Sequence, residues 1–179
     1  MTQIAVNYAG ALYELARDEG LDARMFEELQ MLAGAFREEP GFVQLLASPA
    51  LSKEERCRVL EESFRDRVHP YVLNFLKILT EKGYIRHFAD CCKVYTDRYN
   101  TDHHILPVLA ETAVPLSADQ AARLREKLEQ LTGKTVVLEN RVMPRLLGGV
   151  RLRYDGNQVD GTVRGRLEAI EKLLKNTVL

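Results

Sequence analysis

The sequence contains no apolar run long enough to cross a membrane. A spanning helix needs roughly 20 consecutive apolar residues, and charged residues interrupt every apolar stretch of this chain well before that length. The first ten residues, MTQIAVNYAG, also lack the basic start and the apolar segment of a signal peptide. We therefore expect the chain to remain in the cytoplasm without direct membrane insertion.

The sequence also has no large excess of positive or negative charge, and its cysteines are too few and odd in number for a set of disulfides. The 25 basic and 26 acidic residues give a net charge of −1, which provides no general attraction to nucleic acid or to an anionic membrane. The three cysteines, Cys57, Cys91 and Cys92, are an odd number, which is typical of reduced thiols in a reducing compartment. The apolar content of 46% is ordinary for a globular protein and can support a core.

Motifs for catalysis and for cofactor binding are missing as well. The tripeptide Gly-Lys-Thr at 133–135 resembles the end of a phosphate-binding loop, but Leu128 stands where that loop requires glycine. His87 and Cys91 could share a helix face, yet the adjacent Cys91 and Cys92 project about 100° apart on a helix and no second cysteine pair exists. Since no nucleophile motif occurs either, we expect no catalytic residue, no cofactor and no metal.

The first part of the chain, up to about Asn100, has the periodicity of consecutive helices. Ser52 and Glu55 have the spacing of a capping box at one helix start. Pro70 suits the first turn of the predicted fifth helix, and a sixth is predicted from about Tyr84 to Tyr99. We expect an N-terminal six-helix bundle.

The predicted first helix is apolar over an unusually wide arc. One stripe and a second beside it recur at helical spacing: Ile4, Tyr8, Ala11 and Leu15, then Ala5, Ala9, Leu12 and Ala16. A helix that buries a single face needs only one such stripe. The second stripe is explained either by further packing inside the bundle or by a partner protein.

The period changes after a polar segment, residues 100–104, which we interpret as a linker between domains 1–104 and 105–179. The second domain is predicted to contain a strand of alternating residues from Val108 to Val114, a helix capped by Ser117, a strand at 135–138, a hairpin and a last helix. The last helix carries Leu167, Ile170 and Leu174 on one face. The fold class expected for the whole chain is α+β.

The basic side chains of the hairpin region form the main concentration of positive charge: Arg151, Arg153, Arg164 and Arg166. They fit a solvated surface or the polar rim of a protein interface. A third reading is an RNA-associated regulatory protein that uses this basic hairpin, although no aromatic residues interleave with the arginines as single-stranded nucleic-acid binding favours.

An uncommon run stands near the C-terminus, RLLGGVRLRYDGNQVDGTVRGRLEAIEKLL at 145–174. Four shorter segments precede it: YAGALYELA at 8–16, LLASPAL at 45–51, NFLKILTEKG at 74–83 and AVPLS at 113–117. The run resembles the C-terminal signature of the delta subunit of bacterial F-type ATP synthases, the family of the mitochondrial oligomycin-sensitivity-conferring protein, and the four segments resemble motifs of that family in the same order.

The resemblance implies a non-catalytic stator subunit of the peripheral stalk at the cytoplasmic face of the cell membrane. Such a subunit links the catalytic alpha/beta head to the b-subunit stalk and resists rotor torque during proton-driven ATP synthesis. The family's use of helices one and five for the N-terminal helix of an alpha subunit implies a groove formed by Tyr8, Ala11, Leu15, Ile78 and Leu79. The C-terminal domain would hold the C-terminal end of the b stalk, with signature residues Gly148, Gly149, Asp160, Gly161 and Arg164.

Overall fold

The computed structural model describes residues 2–146 and 148–161, and the chain divides into two compact units between Tyr99 and Asn100. The described residues have an α+β architecture, as the sequence predicts. The first unit holds α1 (Gln3–Asp18), α2 (Asp22–Glu38), α3 (Pro40–Leu46), α4 (Lys53–Phe64), α5 (Pro70–Glu81), a short 3-10 turn (Ile85–His87) and most of α6 (Phe88–Asp102), whose last three residues follow the division. The second holds β1 (Ile105–Thr112), α7 (Ala118–Thr132), β2 (Thr135–Val142), β3 (Val150–Tyr154) and β4 (Asn157–Asp160).

The helix starts are fixed by local chemistry that is readable from the sequence. The predicted capping box is present at α4, where Ser52 Oγ accepts from the Glu55 backbone and the Glu55 carboxylate accepts from the Ser52 N–H at 2.8 Å. At α5, Pro70 occupies the first turn, where its missing N–H costs nothing, and His69 Nδ1 accepts from Tyr71 N at 3.3 Å. These caps set where α4 and α5 begin.

The core of the first unit is apolar and rich in aromatic contacts. Tyr13 of α1 and Tyr95 of α6 meet edge to face with ring centroids 5.1 Å apart, and Tyr95 donates its hydroxyl hydrogen bond to the Asp22 carbonyl at 3.1 Å. Phe36 contacts Phe88 with ring centroids 5.0 Å apart. The hydroxyl of the fully buried Tyr95 therefore has a hydrogen-bond partner, and aromatic contacts join α6 to α1 and to α2.

The end of α6 differs from the sequence prediction. The helix begins at Phe88, after the 3-10 turn, and continues through Asp102 instead of ending at Tyr99. Residues 100–102, predicted as linker, are its last turn, because their polar side chains do not prevent helix propagation. The chain changes direction at His104, whose φ of 52° is left-handed and whose carbonyl accepts from Thr135 N at 2.9 Å.

The described strands of the second unit form one mixed sheet in the order β2-β1-β3-β4. β1 pairs in parallel with β2 from Ile105↔Thr135 to Thr112↔Val142, and α7 provides the crossover between them. β3 pairs antiparallel with both β1 and β4. The core of this unit is small: Leu106, Val108, Leu128 and Val136.

Three strand limits also differ from the predicted ones. β1 begins at Ile105 and not at Val108, because the three added residues pair with β2. β1 ends at Thr112 and not at Val114, because Thr112 Oγ1 donates to the Val114 carbonyl at 2.7 Å and Pro115 follows. β2 extends four residues beyond the predicted end at Leu138, because each added residue pairs with β1. The start and stop of α7 are as predicted, with Ser117 as the N-cap and Gly133 left-handed at φ 65°.

The predicted hairpin is present between β3 and β4. Asp155 and Gly156 form its two-residue loop, with φ of 45° and 75°, and Tyr154 pairs with Asn157. Positive φ at both positions is the requirement of a type I′ turn, which explains Asp-Gly here. The predicted last helix and its residues Arg164, Arg166, Leu167, Ile170 and Leu174 lie outside the described residues.

Candidate partner-binding groove

A groove of about 350 Å³ runs between α1 and α5. Its α1 wall is formed by Asn7, Tyr8, Ala11, Leu12 and Leu15, and its α5 wall by Tyr71, Asn74, Phe75 and Ile78. The lining contains no charged side chain, and its two asparagines supply the polar groups besides the tyrosine hydroxyls. A surface of this composition favours an apolar partner face over an ionic ligand.

The two apolar stripes of α1 differ in how deeply they are buried. The stripe of Ala5, Ala9, Leu12 and Ala16 is buried, with between 0% and 6% of each residue exposed. The other stripe contributes Tyr8, Ala11 and Leu15 to the groove, and Leu15 keeps 40% of its surface exposed. The core of the first unit therefore buries one stripe fully, whereas the other borders the groove, although Tyr8 also packs against the core.

The groove is long enough for a helical segment. From Tyr8 to Leu15 and from Tyr71 to Ile78 each wall advances seven residues, which is about two helical turns or roughly 10 Å at 1.5 Å per residue. Phe75, 5% exposed, forms part of the floor. Beside the groove Tyr8 meets Tyr84 edge to face at 5.8 Å, which fixes one of the rim tyrosines.

Four of the five residues predicted for this surface lie together in the groove, and Leu79 does not. Its side chain is fully buried in the core of the first unit. Successive helix positions diverge by about 100°, so the neighbour of a groove residue such as Ile78 can point inward. Placing Leu79 in the groove is wrong on this geometry.

Sequence reasoning missed several lining residues on α5. Tyr71, Asn74 and Phe75 precede Ile78 by seven, four and three positions, so they share its helix face. This helical spacing could have identified them from the sequence. A search for stripes made only of apolar residues passes over Asn74 because it is polar and over Tyr71 because it stands at the start of the helix.

The signature glycines of the second unit occupy positions that other residues tolerate poorly. Gly148 and Gly149 have φ of 144° and 82°, in the region that favours glycine. A Cβ on Gly161 would lie 3.1 Å from the Val150 carbonyl oxygen, and the Gly161 N–H donates to that same oxygen at 3.0 Å. The predicted tight turn before β3 and close approach after β4 are both present.

The basic side chains of the hairpin are engaged with acids. Arg151 donates from Nε and Nη2 to Asp160 Oδ2 at 3.1 and 3.0 Å, and this contact raises the pKa of Arg151. The carboxylate of Glu111, 5% exposed, lies 3.5 Å from Arg151 and 3.9 Å from Arg153. Asp160 and Glu111 thus balance both arginines, which reduces the attraction of this face for a polyanion.

The residues considered for a metal site do not form one. Within residues 2–146 and 148–161, no group of three or more His, Cys, Asp or Glu side chains could hold a metal ion. Burial raises the pKa of Cys91 to about 11 and that of Cys92 to about 12, so both thiols are protonated at neutral pH. Cys92 Sγ also donates weakly to the Leu29 carbonyl at 3.7 Å. Both thiols are core groups.

Comparison with known proteins places this architecture in a family. The family model described as "ATP synthase delta (OSCP) subunit" matches residues 4–174, nearly the whole chain. The chain belongs to the ATP synthase delta (OSCP) subunit family. In the described part of this family member, no helix is both long and apolar enough to cross a membrane.

Relatives named ATP synthase subunit delta cover almost the entire chain. The subunit of Alkaliphilus oremlandii is 32% identical over 176 residues, 98% of each chain. That of Lactobacillus delbrueckii subsp. bulgaricus is 34% identical over 178 residues, 96% of each chain. A chain in the cryo-EM structure of the Toxoplasma gondii mitochondrial ATP synthase hexamer has the same fold, with a TM-score of 0.79 at 19% identity over 97% of this chain and 98% of that one.

Family membership decides the class of function. The family is a structural stator subunit of F-type ATP synthase and is not catalytic, so this chain is a peripheral-stalk subunit and not an enzyme. The alternative of an RNA-associated regulator receives no support from these relatives. The groove between α1 and α5 is accordingly a candidate protein-binding surface.

Proposed function

We propose that the subunit joins two partners through its two domains, 1–104 and 105–179. The N-terminal helix of an alpha subunit binds the groove between α1 and α5 of the six-helix bundle, and the C-terminal domain holds the C-terminal end of the b stalk. The complex works at the cytoplasmic face of the membrane, where the link prevents the catalytic head from turning with the rotor during proton-driven synthesis.

The observation that carries the proposal for the bundle is the apolar stripe of α1 that borders the groove, because Ala11 and Leu15 in it remain exposed. Tyr8, Ala11 and Leu15 line a two-turn groove that carries no charge, while the bundle core is completed by the other stripe. Burying such a face releases water from apolar surface, which is the main source of affinity in helix-in-groove binding. A small residue, Ala11, at the middle of the α1 wall lets a helix backbone approach closely.

The proposal for the second domain rests on the family resemblance and on the geometry of its signature residues. Two glycines with positive φ precede β3, and Gly161 closes the end of the hairpin against Val150. The double contact between Arg151 and Asp160 ties the two antiparallel strands together. A stator subunit has to resist torque without deforming, and a hairpin whose two strands are joined by side-chain hydrogen bonds is suited to this role.

Ala11→Asp tests the groove. A charge desolvated in an apolar contact costs several kcal/mol, on the order of a thousandfold in affinity for a synthetic peptide of the alpha-subunit N-terminus. Ala35→Asp is the matched control, because Ala35 is exposed on α2 and does not line the groove. Circular dichroism checks that both variants fold. Equal peptide affinity of the two variants, both folded, would sink the proposal.

Gly149→Asp tests the assignment of the other end. It places a side chain on a residue with φ of 82°, so the turn before β3 is strained. We expect the variant to lose attachment of the enzyme head to membranes while the detached head still hydrolyses ATP and the alpha peptide still binds. Loss of peptide binding with intact membrane attachment would show that the two domains are assigned the wrong way round.

A further inference from the structure

A second cleft, of about 460 Å³, lies in the first unit on helices other than those of the α1–α5 groove. It is lined by residues of α2, α3, the 3-10 turn and α6, and it shares no lining residue with that groove. Its floor includes Phe36 and Phe88, which are part of the core. We refer to it as the basic cleft, because its rim carries Arg37, Arg86 and Lys93.

The basic cleft is bounded along its length by two antiparallel helices. α2 and α6 run in opposite directions, since Phe36 meets Phe88 at one end and Gln30 bonds to Thr96 at the other. The Gln30 Nε2 to Thr96 Oγ1 hydrogen bond of 2.7 Å closes that second end. From Gln30 to Arg37 the wall advances seven residues, about two helical turns.

The charge of the rim is one-sided. Arg37 lies in the last turn of α2, Arg86 in the 3-10 turn and Lys93 on α6, and all three are exposed. Within the part of the chain that the structure describes, none of the three makes an ion pair or a side-chain hydrogen bond, and no acidic residue lines the cleft. Three cations therefore border an apolar floor, and no carboxylate is among the residues that line the cleft.

Small side chains keep the cleft open between its helices. Ala33 of α2 and Ala89 of α6 line it from opposite walls. Alanines at such positions let the backbone of an added helix approach the floor, where larger residues would fill the space. The combination of a two-turn length, an apolar floor and a basic rim is complementary to a helix with apolar residues on one face and carboxylates beside them.

We propose that the basic cleft binds an acidic amphipathic helical segment of a second partner in the assembled complex. The proposal rests on the proposed function only in seeking that partner within the ATP synthase, and it concerns a surface separate from the alpha-subunit groove. Carboxylates of the segment pair with Arg37, Arg86 and Lys93, while its apolar residues cover Phe36 and Phe88. Attraction of this kind fixes the register of the segment and weakens with salt.

The test is photo-cross-linking in the intact synthase, purified with the full-length subunit. p-Benzoylphenylalanine replaces Arg86 at the rim, and in the control it replaces Arg58, an exposed residue of α4 that lines neither cleft. We expect a cross-link from position 86 to a segment of another subunit with Asp or Glu beside helically spaced apolar residues, and no such product from position 58. Mass spectrometry of the cross-linked peptide identifies the segment.

Two variants combined with the probe at position 86 separate charge from shape. Arg37→Glu with Lys93→Glu should lower the cross-link yield more than tenfold, and Ala89→Arg should do the same by filling the cleft. Ala35→Arg, on an exposed α2 position outside the cleft, should leave the yield unchanged. Unaltered yield in the charge variant, a product without acidic residues, a lipid adduct or no product in an enzyme that contains the subunit would each overturn the proposal.

Failure of this proposal is distinguishable from failure of the proposed function. Binding of the alpha-subunit peptide to the full-length chain reports on the α1–α5 groove and does not involve the basic cleft. Normal peptide binding together with a missing cross-link rejects the basic cleft alone. Lost peptide binding with a cross-link present rejects the assignment of the groove and leaves the cleft occupied.

Discussion

Asn140 of β2 donates its side-chain amide to Thr112 Oγ1 of β1 at 2.9 Å and to the Ala110 carbonyl at 2.9 Å. The Thr112 hydroxyl in turn donates to the Val114 carbonyl at 2.7 Å. Thr112 is 4% exposed, so the hydroxyl has exchanged water for two protein partners. This small network ties the ends of the two parallel strands together.

Replacing Thr112 should therefore destabilise the second unit. Thr112→Val removes the hydrogen bonds of the hydroxyl to the Asn140 amide and the Val114 carbonyl. Because Asn140 and Val114 are exposed, water replaces part of the lost bonding, and the loss in the free energy of unfolding should be about 1 kcal/mol. Hydrogen exchange of β1 and β2 amides measures it locally. Protection factors equal to those of the parent chain would contradict the network's role.

The opposite result is expected at Thr80 of α5. Its Oγ1 is fully buried and has no hydrogen-bond partner among the described residues. Thr80→Val removes a polar atom that lost its water on folding, so the free energy of unfolding should rise by about 1 kcal/mol. Urea denaturation followed by helical circular dichroism measures the change. A loss of stability as large as that of Thr112→Val would show that the hydroxyl is satisfied.

The buried thiols should make the first unit sensitive to alkali. Burial raises the pKa of Cys91 to about 11 and that of Cys92 to about 12, against an ordinary value of 9.0 in the unfolded chain. From pH 9 to about pH 12 the unfolded state releases protons that the folded state retains, so stability falls as pH rises. Below pH 9 the effect is absent. The double variant Cys91→Ala and Cys92→Ala should show a shallower fall in urea denaturation across that range, whatever its stability at pH 7.

Two glycines should respond to alanine in opposite directions. Gly34 lies within α2, and no atom beyond its own stretch of helix comes within 4 Å of the position that an alanine Cβ would take, so Gly34→Ala should stabilise the helix by up to about 1 kcal/mol. Gly161→Ala places a methyl 3.1 Å from the Val150 carbonyl and should weaken the hydrogen bond there, at about 1 kcal/mol. Thermal melting reports the first, and amide exchange at residue 161 reports the second. Equal responses would contradict the distinction between open and crowded glycines.

The first 104 residues should fold without the rest. Every described element from α1 to α6 lies in this segment, with one apolar core from Ala5 to Tyr95. A fragment 1–104 is expected to be helical by circular dichroism and to melt in one cooperative transition. The fragment 1–99, which removes the last turn of α6, should melt at a lower temperature. An unfolded 1–104 fragment would place the boundary elsewhere.

The features that could be predicted from the sequence are the local ones. The capping box of Ser52 and Glu55, the Asp-Gly loop and the division of α1 into two stripes depend on a few neighbouring residues, and each is present. The end of β2 could not be read in this way, because residues after Leu138 become a strand only by pairing with β1. The inward turn of Leu79 likewise depends on which helices surround α5. The basic cleft needs side chains from four separate segments, and no short motif records that assembly.

The parallel pairing of β1 with β2 has a consequence for how the chain is made. Ile105 can pair only after Thr135, thirty positions later, has been synthesised. Leu109 can pair with Arg153 only later still. Until then β1 presents unpaired backbone edges to its surroundings, a state that invites association with other chains. The helical unit precedes β1 in the chain, so its residues, including the distant pair Tyr13 and Tyr95, are synthesised before those of β2. Synthesis stalled between residues 112 and 135 would thus leave β1 without either neighbouring strand, so the exposure of this chain to wrong strand pairing is greatest in the last third of translation.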